Sequence, residues 1–226
     1  MDFVGSHTSY AIEQPVIPKR HIKHSPLKRA FDIAFSLCAI IIGLPLYALL
    51  ALVVKLSSTG KVIFGHERVG RGGKIFKCYK FRTMYPNADQ MLESVLNESP
   101  ALRAEWDICR KLTNDPRITP IGHILRKTKL DEIPQFWNVL VGDLSIVGPR
   151  PVCADEIQKY YGVKSYKILS VRPGITGLWQ TSDRREMTYQ ERINLDEQYI
   201  DRQNFFLDLL LVLKTIPTMV RPRGAS

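Results

Sequence analysis

Asp131 and Glu132 stand side by side in Lys129-Leu130-Asp131-Glu132-Ile133-Pro134-Gln135, after a helix-forming stretch that bears Arg126, Lys127 and Lys129. Pro134 disfavours helical backbone at Ile133 and suits the first turn of a new helix. The carboxylates then fall beside a helix N-terminus, where partial positive charge stabilises anions. In that setting a carboxylate can stay ionised as a nucleophile, the site can bind a phosphate, or the pair can offer hard oxygen ligands to a divalent metal such as Mg2+. On spacing alone the commoner reading is an exposed acidic helix cap. Further along, Gly142-Asp143 marks a turn, and Pro149-Arg150-Pro151 holds one arginine between two stiff residues. A fixed arginine suits a phosphate or the face of a base. By itself the tripeptide is more often a rigid loop.

Other motifs exclude chemistry. Gly70-Arg71-Gly72-Gly73-Lys74 is followed by Ile75, so no Walker loop is present, and the third glycine of a dinucleotide fingerprint is missing. These glycines read as a turn between strands. Cys38, Cys78, Cys109 and Cys153 are unclustered, without redox or zinc-ligand spacing, and fit a reducing compartment. The formal net charge of +10 predicts an anionic partner: acidic lipid, a phosphate-bearing substrate or nucleic acid. No nucleic-acid module is legible, and the basic residues gather around one apolar segment.

That segment, Ile33 to Val54, runs 22 residues without a charge, and about 20 apolar residues suffice to cross a bilayer. Gly43 and Pro45 interrupt its middle, which predicts a sharp bend between two half-helices, Ile33–Leu44 and Leu46–Leu56. Each is roughly 16–18 Å long, close to half the thickness of a hydrocarbon core. Residues 19–29 hold five Lys/Arg and no acid; residues 55–82 hold eight against one acid, Glu67. Two basic flanks favour a hairpin that enters and leaves one leaflet over a straight span. Asp32 lies at the mouth of the segment. Its spacing allows pairing with Lys28 or Arg29, or a solvated acid at a helix start.

The remaining chain predicts a β-hairpin (Lys61–Phe64 and Ile75–Phe81), two helices over Asn87–Lys111 divided at Pro100, and a helix toward Lys129. Tyr189–Phe206 reads as a helix, and Phe205–Leu213 as an interfacial or docking helix too short to span. Ser182–Arg185 reads as a polar loop, and Arg221–Gly224 as a basic tail for anionic headgroups.

As an ordered set these residues resemble the bacterial monotopic phosphoglycosyl transferases of the sugar transferase family. The matches are Lys28-Arg29 with Asp32, Pro45, Lys80-Phe81-Arg82-Thr83-Met84, Asp115-Pro116-Arg117, Leu125-Arg126 and Leu130–Gln135. They continue through Gly142-Asp143-Leu144-Ser145, Val147–Pro151, Arg172–Gly177 and Trp179-Gln180. The resemblance implies that Asp131 is a nucleophile toward the β-phosphate of a UDP-sugar and Glu132 its partner, with Mg2+ as cofactor at Asp131 and Glu132. It implies that Arg150, between Pro149 and Pro151, binds the nucleotide. It places Lys80, Arg82, Arg126 and Asp143 in or near the pocket. The acceptor it implies is polyprenyl (undecaprenyl) phosphate at the cytoplasmic face of the bacterial inner membrane, with galactose or glucose as the sugar. Lys28, Arg29, Asp32 and Pro45 belong to its re-entrant anchor. One departure is Leu44 before Pro45, where some members carry Ser-Pro.

The expected fold is α+β and mostly helical. A basic tail over residues 1–27 precedes a re-entrant anchor over 28–56. A catalytic domain over 57–226 follows, with a small β-hairpin and interfacial amphipathic helices. Two alternatives remain at this point: a membrane-tethered basic binding protein, and a nucleotide-sugar hydrolase using the same carboxylates.

Overall fold

The computed structural model describes residues 25–109, 112–182 and 187–220, without the side chains of 107–109 and 218–220. The expected N-terminal tail up to residue 24, residues 183–185 of the polar loop and the basic tail at 221–224 lie outside these residues.

Helix α1 (Pro26–Ser57) starts where Ser25 Oγ accepts a hydrogen bond from Lys28 N and Pro26 fills the first position. The two expected half-helices are one helix here, with Pro45 inside it. Proline deletes a single N–H while its fixed φ is helical, so the turns on either side persist. Asp32, Ser36, Leu50 and Val54 are buried, but nothing between Ser36 and Leu50 is; Ile42 is 80% and Leu44 62% exposed. The helix is thus held at both ends and stands clear in its middle. It alone among the described residues is long and apolar enough to cross a membrane.

Strands β1 (Ile63–Val69) and β2 (Ile75–Phe81) pair antiparallel from Ile63↔Phe81 to Val69↔Ile75. β1 extends past its expected end to include Glu67, Arg68 and Val69. The glycine turn closes the hairpin with Gly72 and Gly73 at positive φ. Helices α2 (Ala88–Glu98) and α3 (Pro100–Cys109) break at the expected proline. Helix α4 (Pro120–Thr128), capped by Thr119 Oγ1, leads through a 3-10 turn (Leu130–Glu132) to α5 (Gln135–Val141).

Strands β3 (Ser145–Val147) and β4 (Gly174–Thr176) form a second, parallel pair that joins Gly142–Pro151 to Arg172–Gly177. The crossover between them carries α6 (Ala154–Glu156), a π-helical turn (Ile157–Tyr161) and α7 (Ser165–Ile168). Helices α8 (Tyr189–Arg202) and α9 (Phe205–Val220) complete the chain.

The main core gathers Cys78, Val139, Leu144, Val147, Ile193 and Tyr199, with Phe31 and Phe35 of α1 packed against it. A smaller core joins Leu50 and Val54 of α1 to Phe81 and Leu125. Each end of α1 therefore belongs to a different core.

The N-terminal end is also fixed by polar contacts that local spacing does not show. Lys28 Nζ pairs with Asp208 Oδ2 at 2.7 Å. The Arg29 guanidinium donates to Val139 O at 2.6 Å and Leu140 O at 2.8 Å, at the end of α5. Asp32 Oδ1 accepts from Ser145 Oγ at 3.0 Å and Ile146 N at 2.9 Å. Asp32 is not solvated; Lys28 and Arg29 act on it through their charge, as the spacing allows, while its hydrogen bonds go to β3. Burial against β3 gives it fixed donors that water or a mobile lysine would otherwise supply.

The β3–β4 pair depends on bare backbone. A methyl group at Gly174 would overlap Gly148 N and Thr176 O, which are main-chain atoms that cannot rotate away. Gly174→Ala is expected to cost on the order of 3 kcal/mol, read as a lowered midpoint of chemical unfolding.

Candidate functional site

The turn that presents the carboxylates begins with Lys129, the one non-glycine residue at positive φ among the described residues (φ 57°). Its left-handed backbone ends α4 and starts the 3-10 turn, so Asp131 and Glu132 project at an abrupt corner. Asp131 is buried; Glu132 is partly open. From β2, Lys80 reaches over both. Its Nζ lies 2.6 Å from Glu132 Oε1 and 3.8 Å from Asp131 Oδ2.

The two carboxyls are driven apart in acidity. Burial, only partly offset by Lys80 and reinforced by the neighbouring Glu132 charge, pushes Asp131 up to about 6. Burial also acts on Glu132, but the attraction and hydrogen bond of Lys80, followed by Arg150 and Lys129, outweigh it and hold that carboxyl below its ordinary value. The arrangement offers one basic, buried, still ionisable carboxylate beside a second that anchors a cation.

Asn138, which no sequence motif singled out, fixes this geometry. It is fully buried on α5. Its Oδ1 accepts from Tyr79 N at 2.9 Å and its Nδ2 donates to Lys77 O at 2.8 Å. The amide side chain thus stands in for a further strand along the free edge of β2, on both sides of Cys78, two residues before Lys80.

The other expected residues divide. Arg126 donates through Nε to Thr83 Oγ1 at 2.9 Å and acts electrostatically on Asp131 and on Asp115. Asp115 itself holds Arg117 in a bidentate pair at 2.7–2.8 Å. Arg82 is placed elsewhere: its guanidinium donates to Val54 O, Ser58 O and Lys61 O, at the C-terminal end of α1. Unsatisfied carbonyls there attract a cation more strongly than an open pocket does. Asp143 sits 3.8 Å from Lys74 Nζ, and among the described residues no contact joins it to Asp131 or Glu132.

Pro149 is buried and its carbonyl accepts from Gly174 N at 2.7 Å, while Arg150 is exposed and Pro151 half-buried. Arg150 lies over the ring of Trp179, with 5.5 Å from Cζ to the centroid. Arg192 lies over the same ring at 5.0 Å and over Tyr189 at 5.4 Å, and Tyr189 stacks on Tyr160 at 3.9 Å. The result is a row of alternating cations and aromatic faces. The members come from four separate segments, and only Arg150 and Trp179 carry any signal in the sequence.

Asp196 lies beneath this row, buried on α8, with Oδ1 lacking any hydrogen-bond partner while the carboxyl accepts from the backbone of Arg150. Burial pushes its pKa up to about 8.

The two carboxylates are the oxygen donors the site offers an ion: among the described residues no group of three or more His, Cys, Asp or Glu is placed to hold one. Two hard oxygen donors fit Mg2+ in its common mode, in which substrate phosphates and water complete the shell.

A long apolar helix bolted to a small helical domain, with a buried carboxylate pair under a lysine and a stiff arginine loop nearby, defines an anion-handling domain built against a membrane-type helix. The family model described as "Bacterial sugar transferase" matches residues 23–222, and the chain belongs to that family. A UDP-galactose-lipid carrier transferase of Erwinia amylovora is 46% identical over 205 residues, covering 90% of this chain and 43% of the relative. An exopolysaccharide production protein of Rhizobium meliloti is 44% identical over 198 residues, covering 88% of this chain and 87% of the relative. An undecaprenyl-phosphate galactose phosphotransferase of Salmonella typhimurium is 42% identical over 226 residues, covering 100% of this chain and 47% of the relative. The chain thus spans less than half the length of the first and third, and most of the second.

The Asp196 carboxyl gives a pH test. Its folded-state value is raised above the ordinary 3.8, so its contribution to stability is full below about pH 4 and is lost as pH rises toward 8. Asp196→Asn removes this titration. Thermal unfolding midpoints of the two proteins should converge near pH 4, with the variant increasingly ahead up to pH 8; parallel curves would contradict the assignment.

Proposed function

We propose that this protein transfers a hexose 1-phosphate from a UDP-sugar to polyprenyl phosphate at the cytoplasmic face of the bacterial membrane. The product would begin a repeat unit of exopolysaccharide or O-antigen. The observation that carries the reading is the buried Asp131 at its corner, with Lys80 bridging it to Glu132.

In the proposed reaction Asp131 Oδ attacks the β-phosphorus of the UDP-sugar. The bond from that phosphorus to the bridging oxygen breaks, and UMP leaves with the electron pair. A phosphate oxygen of the lipid then attacks the sugar-phosphoryl aspartate. The acyl-phosphate P–O bond breaks, Asp131 is restored, and a polyprenyl diphosphate sugar results. Splitting the exchange lets donor and acceptor visit in turn. The raised pKa of Asp131, about 6, makes its anion a stronger nucleophile than that of an exposed aspartate while leaving it ionised at neutral pH. Lys80 keeps the adjacent carboxylates from repelling each other and faces the incoming phosphate oxygens. Mg2+, when held by Asp131 and Glu132 together with the diphosphate, would neutralise charge on the leaving group. Arg150 and the cation–aromatic row are suited to the nucleotide, through a phosphate or a stacked base. The relatives named for galactose support a galactose donor.

The membrane arrangement we propose is a re-entrant one, in which α1 dips into one leaflet and both of its ends stay at the same face. Support comes from the two buried ends of α1, the exposed apolar middle around Pro45, and basic residues on both flanks. On α9, Phe206, Leu210, Leu213 and Ile216 are exposed while Asp208 and Leu211 face the core, as an interfacial helix requires.

Membranes bearing the protein should convert UDP-galactose or UDP-glucose, polyprenyl phosphate and Mg2+ into UMP and a lipid-linked sugar. Asp131→Asn should lower both products at least about a thousandfold, and Lys80→Met by about a hundredfold. Undiminished transfer by Asp131→Asn sinks the nucleophile. UMP release that never yields a lipid-linked sugar would make the protein a hydrolase. Salt-sensitive nucleic-acid binding without turnover would make it a binding protein.

A further inference from the structure

The exposed middle of α1 does not stand over empty surface. Beneath it runs an apolar cavity of about 660 Å3. Ile40, Leu44, Tyr47, Ala48 and Ala51 form one wall, at the spacing of a single helix face. Tyr79, Phe81, Pro134 and Trp137 form the other. A second cavity, of about 450 Å3, adjoins it and shares Ile63 and Tyr79 as a common wall. The second is basic: Lys61, Lys77 and Arg82 line it, where α1 has ended and the chain passes through Gly60. The carboxyl pair is on neither lining, and Lys80 alternates on β2 with Lys77-side neighbours Tyr79 and Phe81, which face the groove.

Two of the charges of this second cavity, Lys61 and Lys77, form no ion pair among the described residues. Ion pairs among the described residues engage Lys28, Lys74, Lys80, Lys164 and Lys167, but neither Lys61 nor Lys77. Glu67 stands opposite Lys77 in the hairpin register without forming an ion pair with it. The Arg82 guanidinium is occupied by carbonyls, yet its charge remains and its Nε has no hydrogen-bond partner.

We infer that this continuous groove is a binding site for an anionic phospholipid of the surrounding bilayer. An acyl chain would lie under α1 in the apolar part, and the phosphate headgroup would meet Lys61 and Lys77 where α1 leaves the membrane. The inference rests on the reading that α1 enters the bilayer. The layout matches such a lipid end for end: apolar along the membrane helix, cationic at its exit. Neither part alone would choose a lipid. The apolar part explains a chain without a charge, and the basic part an anion without a chain. Asp131, Glu132 and Lys80 lie outside both linings, although Pro134 and Tyr79 bring the groove up to their corner. The lipid would fill the gap between the middle of α1 and β2.

Native mass spectrometry of the full chain released from nanodiscs tests this, with phosphatidylglycerol and phosphatidylcholine supplied as equal mixtures. The wild type should retain phosphatidylglycerol selectively. Lys61→Gln and Lys77→Gln should each lower that retention about fivefold, with UMP release unchanged. Ala48→Phe, which fills the apolar part and leaves the charges, should also lose the lipid. Equal retention of both lipids, or retention unaffected by the lysine substitutions, overturns the proposal. So does one-for-one displacement of phosphatidylglycerol by polyprenyl phosphate, since the groove would then belong to the acceptor. Asp131→Asn should retain the lipid, so a failed transfer assay and a failed lipid site give different results.

Discussion

Two adjacent carboxylates, one of them buried, can share a corner only if a cation keeps them from repelling one another. Lys80 is that cation, and the folded domain can be traced outward from the need to hold it there. Its strand β2 is fixed on one side by the hairpin with β1 and on the other by the side-chain amide of Asn138. Asn138 is held in turn by α5, which starts directly after the carboxylate turn. The turn depends on the left-handed backbone of Lys129. A closed circuit of β2, α5 and the 3-10 turn therefore sets the distance from Lys80 to both acids. A change in any of the three alters the acidity of Asp131, because burial and Lys80 are its two largest influences.

The apolar helix is joined to this circuit. Arg29 supplies donors to the carbonyls that end α5, and Tyr47 donates to Ile133 O at 2.9 Å, at the start of the same helix. Asp32 is buried on β3, the strand that leads to Pro149-Arg150-Pro151. One helix thus touches both the carboxylate turn and the arginine strand. A membrane-type segment fastened in this way can keep the carboxylate corner at a fixed height above lipid, which the proposed transfer to a lipid phosphate requires.

Much of the fold could be read from the residues. Glycines between aromatic and β-branched runs marked the hairpin, Pro100 marked the break between α2 and α3, and Pro134 marked the turn before α5. These signals are local, and local chemistry decides them. The parallel pair β3–β4 was missed because strands of three residues are too short to show a two-residue period, and their partners lie far apart in the chain. The same distance hid the partner of Asp32, where sequence spacing offered only helix neighbours. Arg82 was grouped with Lys80 because they share a motif; its guanidinium instead satisfies the carbonyls that end α1. Asn138 and the cation–aromatic row around Trp179 have no fixed spacing at all. Burial and crossing backbones create their roles. The carboxylates gained most from the family resemblance, since their spacing alone read as a helix cap.

The central claim is that Asp131 becomes covalently attached to the sugar phosphate. Intact-protein and peptide mass spectrometry after incubation with a UDP-sugar and Mg2+, without lipid acceptor, tests it most directly. The account predicts an adduct of one hexose phosphate on the peptide containing Asp131, formed with UMP and discharged when polyprenyl phosphate is added. An adduct on another residue, or lipid-linked product formed with no adduct at any time point, would contradict it.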